Sequence, residues 1–250
     1  MNVISISMAI FTCVSIFSCR TTSARSHSFT KAEISECDPK GVFEALRPGG
    51  LFATERVIYS QPHVIQGVVH PQMEEKDATG SLGLYHLFEP KGSIQSVVAS
   101  MNDIAALSLT VHAGTVRMAS PRAAVFEGLG KNLNVFSIEG TKLLKATSLK
   151  VDVPVESSTI IIIRGQAVSL VAAKLEGMIN PEKLLFVAPE AISFSVRGDK
   201  FSGTVIAPKA NIHLDARLEG SLFGANVRSM VVTKPAMYMG CMFARDQFQN

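Results

Sequence analysis

A short motif that occurs twice in close succession constrains the fold of this chain more than any other sequence feature. Residues 187–191 (VAPEA) and 206–210 (IAPKA) share an aliphatic residue, Ala-Pro, one charged residue and Ala. A looser third copy follows, since the GSLFGANV that begins at Gly220 is similar to the GTVIAPKA that begins at Gly203. In a β-helix each strand pairs with its equivalent one coil later, so similar residues recur at the coil length. The echo therefore predicts stacked coils of about 19 residues, with Pro189 and Pro208 at corners where a missing N–H costs no ladder bond.

The surrounding sequence is a series of short apolar runs that are typical of strands. A β-sandwich or a β-helix would fit their close and regular spacing, and the echo favours the β-helix. In residues 93–109 apolar side chains instead recur at steps of three and four, which predicts one amphipathic helix with Ser93 as its N-cap. The predicted strands are LNVFSI, SLKVDVP, STIIIIRG, AVSLVAA, LLFVAP, AISFSVRG, GTVIAP, NIHLDA, RLEGSLFGANV and MVVT, preceded by RVIYS and HVIQGVVHP.

The N-terminus carries the pattern of an export signal. Residues 1–19 contain no charged side chain and resemble the apolar core of a secretory signal. Residues 16–19 (IFSC) resemble a bacterial lipobox, which implies cleavage before Cys19 and lipid on its sulfur. Cleavage after Ala24 with simple secretion, and an uncleaved hydrophobic tail, are the alternatives. The sequence thus predicts a signal in residues 1–19, a polar tether in 20–41, a β-helix domain in 42–240 and a tail in 241–250.

The cysteines fit this export hypothesis. Of four, Cys13 would leave with the signal and Cys19 would be lipidated, so that Cys37 and Cys241 would remain. In an exported protein such a pair predicts a disulfide that ties the two ends of the domain together. Two separate free thiols are the alternative.

Several motifs resemble the choice-of-anchor A family of bacterial surface proteins. They are residues 134–136 (NVF), 153–154 (VP), 160–165 (IIIIRG), 201–210 (FSGTVIAPKA) and 220–226 (GSLFGAN). The resemblance covers residues 90–235, and more loosely 42–90. It implies an all-β fold, a right-handed parallel β-helix similar to ice-binding proteins with one flanking α-helix. It also implies a role as an adhesin that is displayed by one of several kinds of anchor.

Other function classes find little support in the sequence. The net charge is +3 and no run of Lys and Arg is longer than a pair, which argues against a nucleic-acid surface. From residue 131 onward no two acidic residues share the offset of the echo, which would stack a carboxylate pair for glycosidase chemistry. The sequence lacks zinc-type spacings, calcium loops and phosphate-binding loops, so we expect no metal and no cofactor.

These observations predict a non-enzymatic adhesin or structural binding module of the bacterial cell envelope. Its partners would be an unidentified glycan or matrix protein, together with the membrane through the lipid on Cys19. A polysaccharide-active enzyme on the same scaffold and a purely structural envelope lipoprotein are the alternatives. Simple secretion is the alternative location.

Overall fold

The computed structural model describes residues 43, 49–59, 68–70, 94–109, 113–114, 116–171, 174–177 and 180–242. All of them belong to one of the two units into which the chain divides, residues 34–250. The predicted signal and tether, the proposed N-cap Ser93 and nearly all of the predicted tail lie outside the described residues.

Strands dominate this part of the chain. They are β1 Gly50–Tyr59, β2 Val68–His70, β3 Val116–Ser120, β4 Ala123–Glu127, β5 Leu133–Glu139, β6 Ser148–Asp152, β7 Ser158–Arg164, β8 Ala167–Val171, β9 Lys174–Glu176, β10 Leu184–Val187 and β11 Ser193–Pro235. The helices are α1 Ile94–Ser108 and α2 Gly140–Leu143, and a 3-10 turn spans Pro181–Lys183. The predicted helix is confirmed in α1, whereas α2 is an additional short helix.

The strands form two sheets that are almost wholly parallel. The larger has the order β2-β1-β11-β10-β7-β5, and β8 also pairs with β11. The smaller has the order β3-β4-β6-β9, in which only β3 and β4 are antiparallel. The fold is therefore all-β with parallel sheets, as predicted, and it is consistent with a β-helix. The β3–β4 hairpin was not predicted, because the sequence analysis placed no strand between the helix and residue 133.

The structure explains the echo. Strand β10 pairs with β11 in the register Leu185↔Thr204 to Val187↔Ile206, so equivalent residues of the two copies are adjacent. The two prolines are buried, and the alanines that follow, Ala191 and Ala210, are completely buried. The third copy stacks as well, because a Cβ on Gly220 would overlap the backbone of Gly203.

The coil length is not constant along the chain. Leu133 pairs with Ser158 and Thr159 with Leu184, so the offset in these two earlier coils is larger than that of the echo. Extra residues enter between the strands: α2 follows β5, and the 3-10 turn precedes β10. The single period that the echo predicts is therefore too short for these earlier coils. It fits the step from β10 to β11. Within β11, Asn211 lies beside Ser193 and Asn226 beside Asn211 at shorter offsets.

The N-terminal strand joins the C-terminal end of the larger sheet. Leu51 pairs with Leu222, near the opposite end of the domain, and β2 in turn pairs with β1. The predicted strand RVIYS lies almost entirely within β1. Of the predicted HVIQGVVHP strand, residues 68–70 lie in β2, and the remainder lies outside the part of the chain that the structure describes.

Helix α1 covers one face of the larger sheet. Met101 and Ala105 are buried on this face, and Ile104 packs against the same cluster. The sheet contributes outward-facing residues of four strands: Phe52, Ile160, Ile162, Leu185, Val187, Ile206 and Phe223. A second core, on the opposite side of these strands, contains Phe126, Phe136, Phe186 and Phe194. Burial of apolar area on both faces stabilises the sheet and explains its continuous aliphatic runs.

Residues 236–242, which we call the C-terminal strap, run across the strands on the face of the larger sheet that α1 covers. Buried hydroxyls of three strands hold the backbone of the strap. Ser221 Oγ donates to the Ala236 carbonyl (2.6 Å), Thr204 Oγ1 accepts from Tyr238 N (2.9 Å), and Ser158 Oγ accepts from Cys241 N (2.8 Å). These bonds satisfy backbone groups that would otherwise be buried without partners.

Candidate functional site

Because α1 and the C-terminal strap cover one face, a binding surface must lie on the other sheet faces. Two such faces are exposed among the described residues. One is the outer face of the smaller sheet, β3-β4-β6-β9. The other is formed by β8 and by three segments of β11: residues 193–197, 211–217 and 226–228.

The second of these exposed faces is polar and regular. In residues 211–218 exposed and buried positions alternate, with Ile212, Leu214 and Leu218 directed inward. Such alternation is the pattern of a sheet with one solvated face. We call the outward side chains the polar face; they are Ala167, Ser169, Ser193, Ser195, Arg197, Asn211, His213, Asp215, Arg217, Asn226 and Arg228.

One row of the polar face runs across the strands through hydrogen-bonded side chains. Ala167 pairs with Ser193, and Asn211 N donates to the Ile192 carbonyl (2.9 Å), which places Asn211 beside Ser193. The Asn226 amide donates to Asn211 Oδ1 (2.8 Å). It also donates to Glu55 Oε2 (2.7 Å) on β1. This row therefore continues from the C-terminal strands onto the N-terminal strand.

A second row lies two positions further along each strand. Ser195 and Ser169 are adjacent in register, and their Oγ atoms are 3.1 Å apart. By the same two-position step, His213 follows Asn211 and Arg228 follows Asn226. The side chains thus grow along the row, from serine to histidine to arginine.

The polar face carries several charges that are not held in ion pairs. Arg217 forms an ion pair with Asp199 (3.1 Å). Arg197 and Arg228 are exposed and form no ion pair with any residue that the structure describes, and the same holds for Asp215. At the margins of the face lie the exposed Lys209 and Glu190, at equivalent corners, and Glu55, to which Asn226 donates.

The outer face of the smaller sheet is different, because its charges neutralise one another. Arg117 binds Glu127 (2.6 Å), and Lys150 binds Asp152 (2.7 Å). Arg117 and Lys150 donate hydrogen bonds to the neighbouring carboxylates, which raises the pKa of each cation above its usual value. Glu127 and Asp152 are adjacent in register, so carboxylates do stack here, at a longer offset than that of the echo. Each is held by a cation, and the face is a network of exposed ion pairs.

The structure describes one of the four cysteines, which is Cys241. Cys241 is disulfide-bonded and only 5% exposed, in the C-terminal strap. Cys13, Cys19 and Cys37 lie outside the described residues. The pairing of Cys37 with Cys241 and the lipid on Cys19 therefore stay predictions. Within the described ranges, no group of three or more His, Cys, Asp and Glu side chains could hold a metal ion.

The sequence of this domain matches a known protein family. Residues 67–233 match a family model described as a "Putative Ice-binding-like adhesive domain". The chain belongs to this family. The match agrees with the adhesive domain that the resemblance implied, whereas the choice-of-anchor A assignment stays a prediction. No curated protein and no solved structure gives a significant match.

The adhesive domain contains the whole polar face, which extends from residue 167 to residue 228. Strand β1 and the C-terminal strap lie outside the matched residues, although β1 shares a sheet with them. An adhesive domain points to some surface ligand and to an extracellular or surface location. No described helix has the length and hydropathy to span a membrane.

The sequence predicted the strand NIHLDA but not the surface to which this strand belongs. Its alternation of polar and apolar residues was the available signal. The polar face becomes visible only when Asn211 is set beside Asn226 on one side and beside Ser193 on the other. Neither of these sequence offsets equals the offset of the echo.

Proposed function

We propose that this protein is a non-enzymatic adhesive module of the bacterial surface and that the polar face is its contact surface. The observation that carries this proposal is the contrast between the faces. One is closed by α1 and the C-terminal strap, one is neutralised by its own ion pairs, and the polar face remains exposed with two arginines that form no ion pair with the described residues. A surface of this kind on a family of adhesive domains is suited to contact a ligand.

We further propose that the strands form the coils of a right-handed β-helix. The support is the parallel register between successive strands of the larger sheet, from β5 to β7, from β7 to β10 and from β10 to β11. Neighbouring strands in a sheet are about 4.8 Å apart, so each coil repeats the polar side chains at a fixed spacing. A rigid scaffold of this kind lowers the entropy lost on binding.

The anchor and the disulfide are proposals that rest on the sequence. Lipid on Cys19 and a tether in residues 20–41 would display the domain at a membrane, whereas simple secretion would release it. Metabolic labelling with a fatty-acid analogue tests the anchor, which would be refuted by labelling that persists in Cys19→Ala. Thiol titration of the mature protein before reduction tests the Cys37–Cys241 bridge, and two free thiols would contradict it.

The adhesive function is tested by blocking the polar face. The mature protein is coupled to beads, which are incubated on an array of glycans and matrix proteins. Ser195→Tyr places a bulky, uncharged side chain in the centre of the face, and we expect it to reduce bead retention at least tenfold.

Ser148→Tyr is the matched control, because Ser148 is a partly exposed serine of β6 in the other exposed sheet. Equal retention of both variants would show that the polar face is not the contact surface. If the unaltered protein binds nothing on the array, a structural envelope role replaces the adhesive one.

A further inference from the structure

We infer that the ligand of the polar face is an anionic polysaccharide. This inference rests on the proposed function, because it names the class of ligand that the same face would bind. Its elements are two arginines without ion-pair partners among the described residues, a group of serine hydroxyls, and the absence of Phe, Tyr and Trp from the polar face.

The charge of the polar face favours an anion. Arg197 and Arg228 are exposed and without ion-pair partners in the described part of the chain, in contrast to Arg217, which Asp199 neutralises. A guanidinium presents paired donors that match the two oxygens of a carboxylate or sulfate. The two arginines lie on different segments of β11, so acidic groups that repeat along a polymer could reach both.

The shape of the polar face favours a chain that lies across the strands. The small side chains Ala167, Ser169, Ser193 and Ser195 form a low shelf at one end. Longer side chains border this shelf. Asn211 and His213 lie on the next segment of β11, and Arg197 lies on the same segment as Ser195. Ser169 and Ser195 are partly exposed, and Ala167, Ser193, Asn211 and His213 are exposed, so the shelf and its border are both open to a ligand.

The chemistry of the shelf fits the hydroxyls of a sugar. Serine hydroxyls both donate and accept hydrogen bonds, and the Asn211–Asn226 pair adds amide donors and acceptors. A sugar ring offers hydroxyls that can act in both senses. The shelf and the amides would therefore bind the neutral part of each sugar unit, while the arginines bind its acidic group.

The composition of the polar face argues against a protein ligand. Protein interfaces depend on a few buried anchors, most often Trp, Tyr, Arg and other large side chains in packed pockets. Apart from Ala167, every member of the polar face has a polar or charged side chain. With so little apolar area, charge must supply most of the affinity, and such affinity is screened by salt.

The experiment measures binding of the full mature protein to three immobilised polymers. Dextran sulfate and alginate supply sulfate and carboxylate groups, respectively, and unmodified dextran is the neutral counterpart of dextran sulfate. We expect binding to at least one anionic polymer and none to dextran. Raising the ionic strength from about 0.1 M to about 1 M shortens the screening length from about 10 Å to about 3 Å and should abolish this binding.

The matched variants separate a specific site from general attraction to polyanions. We expect Arg197→Gln and Arg228→Gln each to weaken binding about fivefold and together roughly 25-fold, the upper range for exposed ionic contacts. The control is Arg122→Gln combined with Lys131→Gln, which removes the same charge from the two turns that flank β4. It should weaken binding less than about twofold, since long-range charge effects are largely screened.

Three outcomes would overturn the inference: equal binding to dextran, equal loss in the control variant, or no binding to either anionic polymer. If the protein then still adheres to a matrix protein or neutral glycan, and Ser195→Tyr abolishes that adhesion, the ligand class is wrong but the adhesive function stands. If no adhesion is found at all, the proposed function fails with it.

Discussion

The hydroxyl of Thr204 provides a direct measure of how the C-terminal strap is held. Thr204 is 1% exposed, and its Oγ1 accepts a hydrogen bond from Tyr238 N (2.9 Å). Oγ1 also lies 4.0 Å from Met237 Sδ, a weak contact. Thr204→Val keeps nearly the same volume and removes the acceptor. The Tyr238 N–H is then left buried without a partner.

The expected cost follows from that orphaned donor. A buried polar group that loses its partner costs about 1–3 kcal/mol. For a domain of this size, each kcal/mol lowers Tm by about 2–4 °C. Taking about 2 kcal/mol, we expect Tm to fall by roughly 4–8 °C. The loss of the sulfur contact is too weak to change this range.

The control is the same substitution two strands away. Thr159 lies in β7 of the same sheet and is 3% exposed, but its hydroxyl makes no hydrogen bond within the described residues. Thr159→Val should therefore leave Tm unchanged or raise it slightly. Thermal unfolding of both variants is followed by circular dichroism. If Thr204→Val melts within about 1 °C of Thr159→Val, the strap does not depend on this bond.

Two further predictions concern the close stacking and the buried phenol. Gly220→Ala should destabilise the fold by more than about 4 kcal/mol, because its Cβ would overlap the Gly203 backbone. Gly165→Ala, which has positive φ but open space, should cost only about 1–2 kcal/mol, and similar urea midpoints for the two would refute this account. Burial raises the pKa of Tyr238, so the unfolded chain loses this proton before the folded one does. Stability should then be intact below about pH 10 and fall above it, and urea unfolding at about pH 9 and about pH 11 should show a smaller fall for Tyr238→Phe.

The sequence predicted those parts of the fold in which residues that pack together also lie close to one another in the sequence. The echo was readable because β10 and the following part of β11 are joined by a short corner without insertion. The helix was readable because Met101 and Ala105 fall on one apolar stripe. Between β5 and β7 the inserted helix α2 lengthens the coil, and the period is lost.

Other features depend on contacts that leave no local trace. The pairing of Leu51 with Leu222 joins segments whose sequences share no repeat. The hydroxyls that hold the C-terminal strap are ordinary serines and threonines until the strap is placed over them. The polar face likewise arises from strand segments whose successive sequence offsets differ from one another. A constant period would not align them.

The pairing of β1 with β11 also sets the order in which the chain can complete its fold. During synthesis β1 emerges long before its partner, and closing a contact across most of the domain is slow compared with pairing of consecutive coils. Until residues 222–229 are available, β1 has an unpaired edge and exposes Leu51, Phe52 and Val57, which are buried in the native state. Such an edge is prone to aggregate. We therefore expect the central coils to form first and the N-terminal strand to dock last, so that a chaperone able to bind an early apolar strand would raise the yield of folded protein.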